Sequence, residues 1–153
     1  MAFAGAMDLL TMNIPNRVSL ALAAAFLVAA PVAGLSLDTV LSHLGAAALV
    51  LAAGIVFFAA GWLGGGDGKL MAAAALWIGF DDLLLYFAEV AVLGGVLALA
   101  ILAYRQVPAT ALPAPDWALR LHRNGTGIPY GLAIAGAALW IYPTTPWFAA
   151  FAP

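Results

Sequence analysis

Two aspartates in this chain are placed where carboxyl chemistry is possible. Asp8 opens the segment Asp8-Leu9-Leu10-Thr11-Met12-Asn13-Ile14-Pro15-Asn16, and Asp67 is set among glycines in Gly64-Gly65-Gly66-Asp67-Gly68-Lys69. Two carboxyls a few ångströms apart resist double ionisation, so such a pair shares one proton and titrates as a unit. The ionised member can take a proton from water as that water attacks a peptide carbonyl. The protonated member hydrogen-bonds the carbonyl oxygen, and a proton then passes to the leaving amine. That route needs no covalent intermediate, metal or cofactor. On position alone, each aspartate reads equally well as a solvated acid at a helix end.

The neighbours of each aspartate have local consequences. Pro15 lacks an N–H and biases Ile14 towards extended backbone, which breaks the helix carrying Asp8. Asn16 is then suited to cap the following helix through its side-chain oxygen. The glycines beside Asp67 would let an extended peptide approach the carboxyl without meeting side chains. A phosphate loop is excluded, because Leu63 stands where the first Walker glycine belongs and Leu70 replaces the Ser/Thr.

Membrane helices must position these groups. Hydrophobic residues make up 66% of the chain and charged residues 8%, against roughly 25% charged in a soluble domain. A spanning helix needs about 20 mostly apolar residues. Stretches 18–35, 44–63, 83–104 and 128–142 come near that, and 70–80 is a shorter span with room to borrow from the glycine run or from Asp81 and Asp82. With the helix ahead of Asp8, the expectation is an all-α polytopic bundle of about six transmembrane helices. The first is cut short, and residues 1–153 form one membrane-embedded domain. Met1 to Met7 carry no charge, so this start is not a signal peptide.

Charge orients the bundle, since Lys and Arg concentrate in cytoplasmic loops. With Arg17 inside, alternation puts 34–43 outside, Lys69 inside, Asp81 and Asp82 outside, and Arg105, Arg120 and Arg123 inside. All five basic residues then share the cytoplasmic side with Asp8 and Asp67. Residues 105–127, with Pro108, Pro113 and Pro115, read as a cytoplasmic loop or interfacial helix. A net charge of −2 leaves no nucleic-acid footprint. Cysteine is absent, and His43 and His122 have no zinc-ligand spacing around them.

Taken together, Asp8 with Ile14-Pro15-Asn16, then Gly64-Gly65-Gly66-Asp67-Gly68-Lys69-Leu70, then Gly127-Ile128-Pro129-Tyr130-Gly131 closely resemble the type IV prepilin peptidases, in particular their short CpaA/TadV-like branch. The resemblance covers nearly the whole chain. It implies that Asp8 and Asp67 are the catalytic pair of an aspartic endopeptidase, with Ile14, Pro15, Asn16, Gly64, Gly65, Gly66 and Lys69 as motif-supporting or substrate-binding residues. The implied substrate is a type IV or Flp-type prepilin, its charged leader in the cytoplasm and its apolar helix in the lipid of the bacterial inner membrane. Family members usually have a full spanning helix before the first aspartate, where this chain has a seven-residue stub. Larger members carry a tetracysteine insertion and methylate the new pilin N-terminus; without cysteine or such an insertion, cleavage without methyltransferase activity is expected.

Two rivals fit less well. Presenilin-like proteases place a tyrosine before the first aspartate and a Pro-Ala-Leu element near the end, whereas Met7 precedes Asp8 and the late proline lies in Ile128-Pro129-Tyr130. A channel or transporter subunit would show an internal repeat, and none is evident. Among the remaining polar groups, Glu89 is expected to be protonated and hydrogen-bonded inside a span, and Lys69 to be a positive-inside anchor. His122 with Arg120 and Arg123 reads as a headgroup-facing patch. Trp62, Trp77, Trp140 and Trp147 read as interfacial belts.

Overall fold

Small residues set the ends of the helices. In the computed structural model, which describes residues 1–107, 115–123 and 125–151, every regular element is helical. The order is α1 (Ala2–Thr11), α2 (Asn16–Val32), α3 (Leu37–Ala59), α4 (Gly65–Ile78), α5 (Leu83–Tyr104), α6 (Asp116–His122), α7 (Tyr130–Ile141), a 3-10 turn (Tyr142–Thr144) and α8 (Pro146–Phe151). Pro108 and Pro113 lie outside the described residues.

α2 and α3 end in the same way. Gly34 (φ 68) and Gly61 (φ 75) take the left-handed position just past the helix. The next N–H turns back in each case, from Leu35 to the Ala30 carbonyl and from Trp62 to the Phe57 carbonyl, which satisfies carbonyls the helix leaves open. α3 therefore stops at Ala59, short of the expected 63. It also starts seven residues earlier than expected, because Ser36 caps it by accepting the Thr39 N–H at 3.2 Å.

With 23 and 22 residues, α3 and α5 rise about 33–35 Å, enough to cross a hydrocarbon core of ~30 Å. Both are strongly apolar. The ten residues of α1 rise only about 15 Å. α4 extends into the glycine run, as residues 70–80 had room to do, and sits at the centre with α2, α3 and α7 packed on it. Its Ala72, Ala73, Ala74 and Ala75 are all buried, and such small side chains let neighbouring backbones come close. Gly54 of α3 meets Gly68 of α4 so closely that a Cβ on Gly54 would lie 3.3 Å from the Gly68 Cα. α1 and α5 both pack on α7.

A second core, built on rings, corrects three expectations. His43 is no outer-loop residue: it is buried in α3, and its Nδ1 lies 2.8 Å from the Leu76 carbonyl near the end of α4. That carbonyl accepts only, so Nδ1 is the protonated nitrogen. Trp147 is fully buried against Phe26, His43 and Trp77. Its indole N–H donates to the Trp77 carbonyl at 2.7 Å, while Trp77 donates to Leu22 at 3.0 Å. Buried indoles take a partner in this way, so these two tryptophans are packing residues. Trp62 and Trp140 are the exposed pair, at 79% and 75%.

Charge divides the bundle into two ends. Asp38, Asp81 and Asp82 line one cavity with Thr144. At the other end Lys69 meets Asn16, Arg105 meets α6, and Arg120 meets the last turn of α1.

Candidate active site

Asp8 and Asp67 both lie at the basic end, outside the long spans α3 and α5. Asp8 is in the last turn and a half of α1 and is buried. Its Oδ2 accepts the Gly131 N–H at 2.7 Å. Gly131 is the second residue of α7, where backbone N–H groups have no partner within the helix. The carboxyl of one helix thus closes the N-terminus of another, with the α7 dipole favouring its negative form. Only glycine fits there: a Cβ on Gly131 would lie 2.8 Å from Asp8 Oδ2 and 2.7 Å from Ile14 Cδ1.

Asp67 is the third residue of α4, ahead of that helix's apolar stretch. The glycine run is helical rather than an open loop, and each glycine makes room for a neighbour. A Cβ on Gly64 would stand 2.8 Å from Asp67 Oδ2, on Gly65 3.3 Å from the Phe58 ring, and on Gly66 3.3 Å from Ile14 Cβ. Burial raises the Asp67 carboxyl to about 6, and the charge of Asp8 adds to that rise. The two groups therefore sense each other. Burial also lifts Asp8 above the ordinary carboxylate range, against the pull of the Gly131 N–H.

The chain between them is shaped to hold this arrangement. Met12 takes a left-handed turn (φ 55) and donates its N–H to the Asp8 carbonyl at 2.7 Å. That turn ends α1 and sends the chain into the extended Pro15. Buried Ile14 is left wedged between the first turns of α4 and α7, touching the spaces beside both Gly66 and Gly131.

A model of the type IV leader peptidase family matches residues 1–99, the stretch that carries both aspartates, Ile14-Pro15-Asn16 and the glycine run. The chain belongs to the type IV leader peptidase family. The family's members are membrane proteins, and membership implies a peptidase with a prepilin substrate. No curated protein and no solved structure matches the chain.

In this leader peptidase Asn16 does not cap α2 through its side chain. Pro15 holds the cap position and no side-chain bond forms there. Asn16 Oδ1 instead accepts from Lys69 Nζ at 3.0 Å, tying the start of α2 to the first turn of α4. Lys69 is therefore a link between the two motifs, and it leaves α4 on the side away from Asp67, two residues being about 200° of helix.

The expected headgroup patch is also reassigned in part. Arg120 donates to the Leu10 carbonyl, and His122 Nε2 lies 2.6 Å from the Val107 carbonyl. Arg105 donates to Leu121 and Thr126 at 2.8 and 2.7 Å. These groups fasten α6 against the ends of α1 and α5, and Arg123 stays exposed. Gly131 is the site residue that sequence reasoning passed over. Its signal was a proline, Pro129, just before a helix start, with the glycine two residues on.

Proposed function

We propose that this leader peptidase cleaves the leader of type IV or Flp-type prepilins at the cytoplasmic face of the bacterial inner membrane, with Asp8 and Asp67 as its aspartic dyad. Residues 1–153 act as one membrane-embedded unit of about six spans, of the short CpaA/TadV-like kind, which cleaves without methylating. The observation that carries the reading is the convergence of the two segments on Ile14, which lies against Gly66 beside Asp67 and against Gly131, where Asp8 is bonded. Asp8 and Asp67 come from separate helices, yet the charge of one helps raise the other to about 6.

Their surroundings support different roles. Asp8, held by the Gly131 N–H, is the ionised base that takes a proton from water as its oxygen attacks the scissile carbonyl. Among the described residues Asp67 makes no hydrogen bond that would favour its charged form, and it carries the shared proton to the carbonyl oxygen. Collapse of the tetrahedral adduct breaks the C–N bond, and the proton on Asp8 passes to the leaving amine. An apolar cleft of about 460 Å³ between α3, α4 and α5 reaches Gly68, the neighbour of Asp67. It suits the apolar helix of a prepilin lying beside the dyad.

The test is leader cleavage in membranes with a co-expressed prepilin, comparing the chain with Asp8→Asn and Asp67→Asn. Both substitutions are expected to abolish cutting at unchanged protein level. Cutting that persists in either would make that aspartate structural and remove the dyad.

A further inference from the structure

At the end of the bundle away from the dyad, α5 presents a stripe at helical spacing: Leu85, Ala88, Glu89, Val92 and Leu93. With Trp140 of α7 it lines an open cleft of about 430 Å³. Leu85, Val92 and Trp140 are exposed on it. Glu89 is the only charged residue of this lining among the described residues. It lies six residues below Leu83, hence about 9 Å inside the span. Its Oε2 is buried with no hydrogen-bond partner among the described residues, so the internal packing bond expected for it is not made.

We propose that this cleft docks a transmembrane helix of a partner protein that carries a lysine or arginine at the depth of Glu89. A carboxyl inside a span is costly unless paired, and lipid tails that cover the apolar stripe offer no donor. A free metal ion would find one carboxyl in an apolar lining, too few ligands to replace its water. A second copy of this chain offers no basic partner at this depth. Its five basic residues, Arg17, Lys69, Arg105, Arg120 and Arg123, all belong to the opposite end of the bundle. Asp81 and Asp82 stand just above the cleft at the start of α5 and add to its attraction for a cation.

The test uses the full chain in proteoliposomes with leucine-based host helices as probes: one all-leucine, one with a lysine about 9 Å below the outer end. Energy transfer from labelled chain to labelled probe reports association. The lysine probe is expected to bind about 5- to 30-fold tighter than the all-leucine probe, the range of an interhelical polar contact in lipid. Glu89→Gln should abolish that advantage, and Val92→Trp, which fills the cleft while leaving the carboxyl, should lower binding of the lysine probe. The proposal is overturned if the lysine gives no advantage, if the advantage survives Glu89→Gln, or if two labelled copies of the chain associate through Glu89.

Discussion

Replacing Gly131 by alanine adds one methyl group at the point where α7 meets the dyad. That methyl would lie 2.8 Å from Asp8 Oδ2, 3.0 Å from Asp8 Cβ and 2.7 Å from Ile14 Cδ1, all too short for carbon. Either the start of α7 or the Asp8 carboxyl must move, and the 2.7 Å bond from the Gly131 N–H is what gives way. A hydrogen bond to a charged group contributes about 1.5–3 kcal/mol. At about 1.4 kcal/mol per decade, leader cleavage should fall roughly 10- to 150-fold in kcat/KM. The pH profile adds a mark that mere misfolding would not leave. The bond holds Asp8 down against burial, so its loss lets the carboxyl rise, and the acid limb of activity should shift to higher pH. Trimming Ile14 to alanine in the same chain relieves one overlap and leaves the two with Asp8, so it should not restore cleavage. Gly131→Ala cutting within about twofold of the parent, at equal protein level, would refute the claim that this N–H positions the base.

Three further outcomes are expected. Activity should decline as pH rises through about 6, because above that value Asp67 gives up the shared proton; a rate flat from pH 5 to 8 would contradict the roles assigned. Asp8→Asn should bring Asp67 down from there towards the ordinary carboxylate range, as one of its two raising causes is removed, and a carboxyl infrared titration of the inactive chain reads this directly. Gly54→Leu has no room against the Gly68 backbone, and overpacking of this kind costs about 1–3 kcal/mol. Thermal unfolding in detergent should therefore start lower, and an unchanged midpoint would mean that α3 and α4 are not held as close as described.

Much of the site was legible because it depends on local chemistry. Pro15 ends one element and begins the next wherever it stands, and a carboxyl between glycines at the edge of an apolar stretch is conspicuous in a chain with 8% charged residues. Contacts over long sequence distances were not legible. Asp8 and Gly131 are 123 residues apart, and nothing near either one announces that a carboxyl of α1 will close the N-terminus of α7. Asn16 had a plausible local partner in the cap it was expected to form, and the bond from Lys69, 53 residues away, took its place. The tryptophans misled for a related reason. An indole is at home at a membrane interface and in a core, and only its N–H partner separates Trp147, bonded to Trp77, from the exposed Trp140.

These long-range contacts also give two chemically identical side chains different surroundings, on which the proposed roles rest. A helix N-terminus offers unpaired N–H groups, and Asp8 meets one at α7. Asp67 lies in the first turn of its own helix, yet its carboxyl turns back beside Gly64 and finds no backbone donor among the described residues. Both are held partly from water, so in the proposed dyad the one favoured N–H would decide where the shared negative charge rests. On this view the late Ile128-Pro129-Tyr130-Gly131 segment, which lies beyond the matched residues 1–99, belongs to the catalytic apparatus as much as the glycine run does. Moving that N–H by one methyl group should therefore impair the chemistry while both aspartates remain in place.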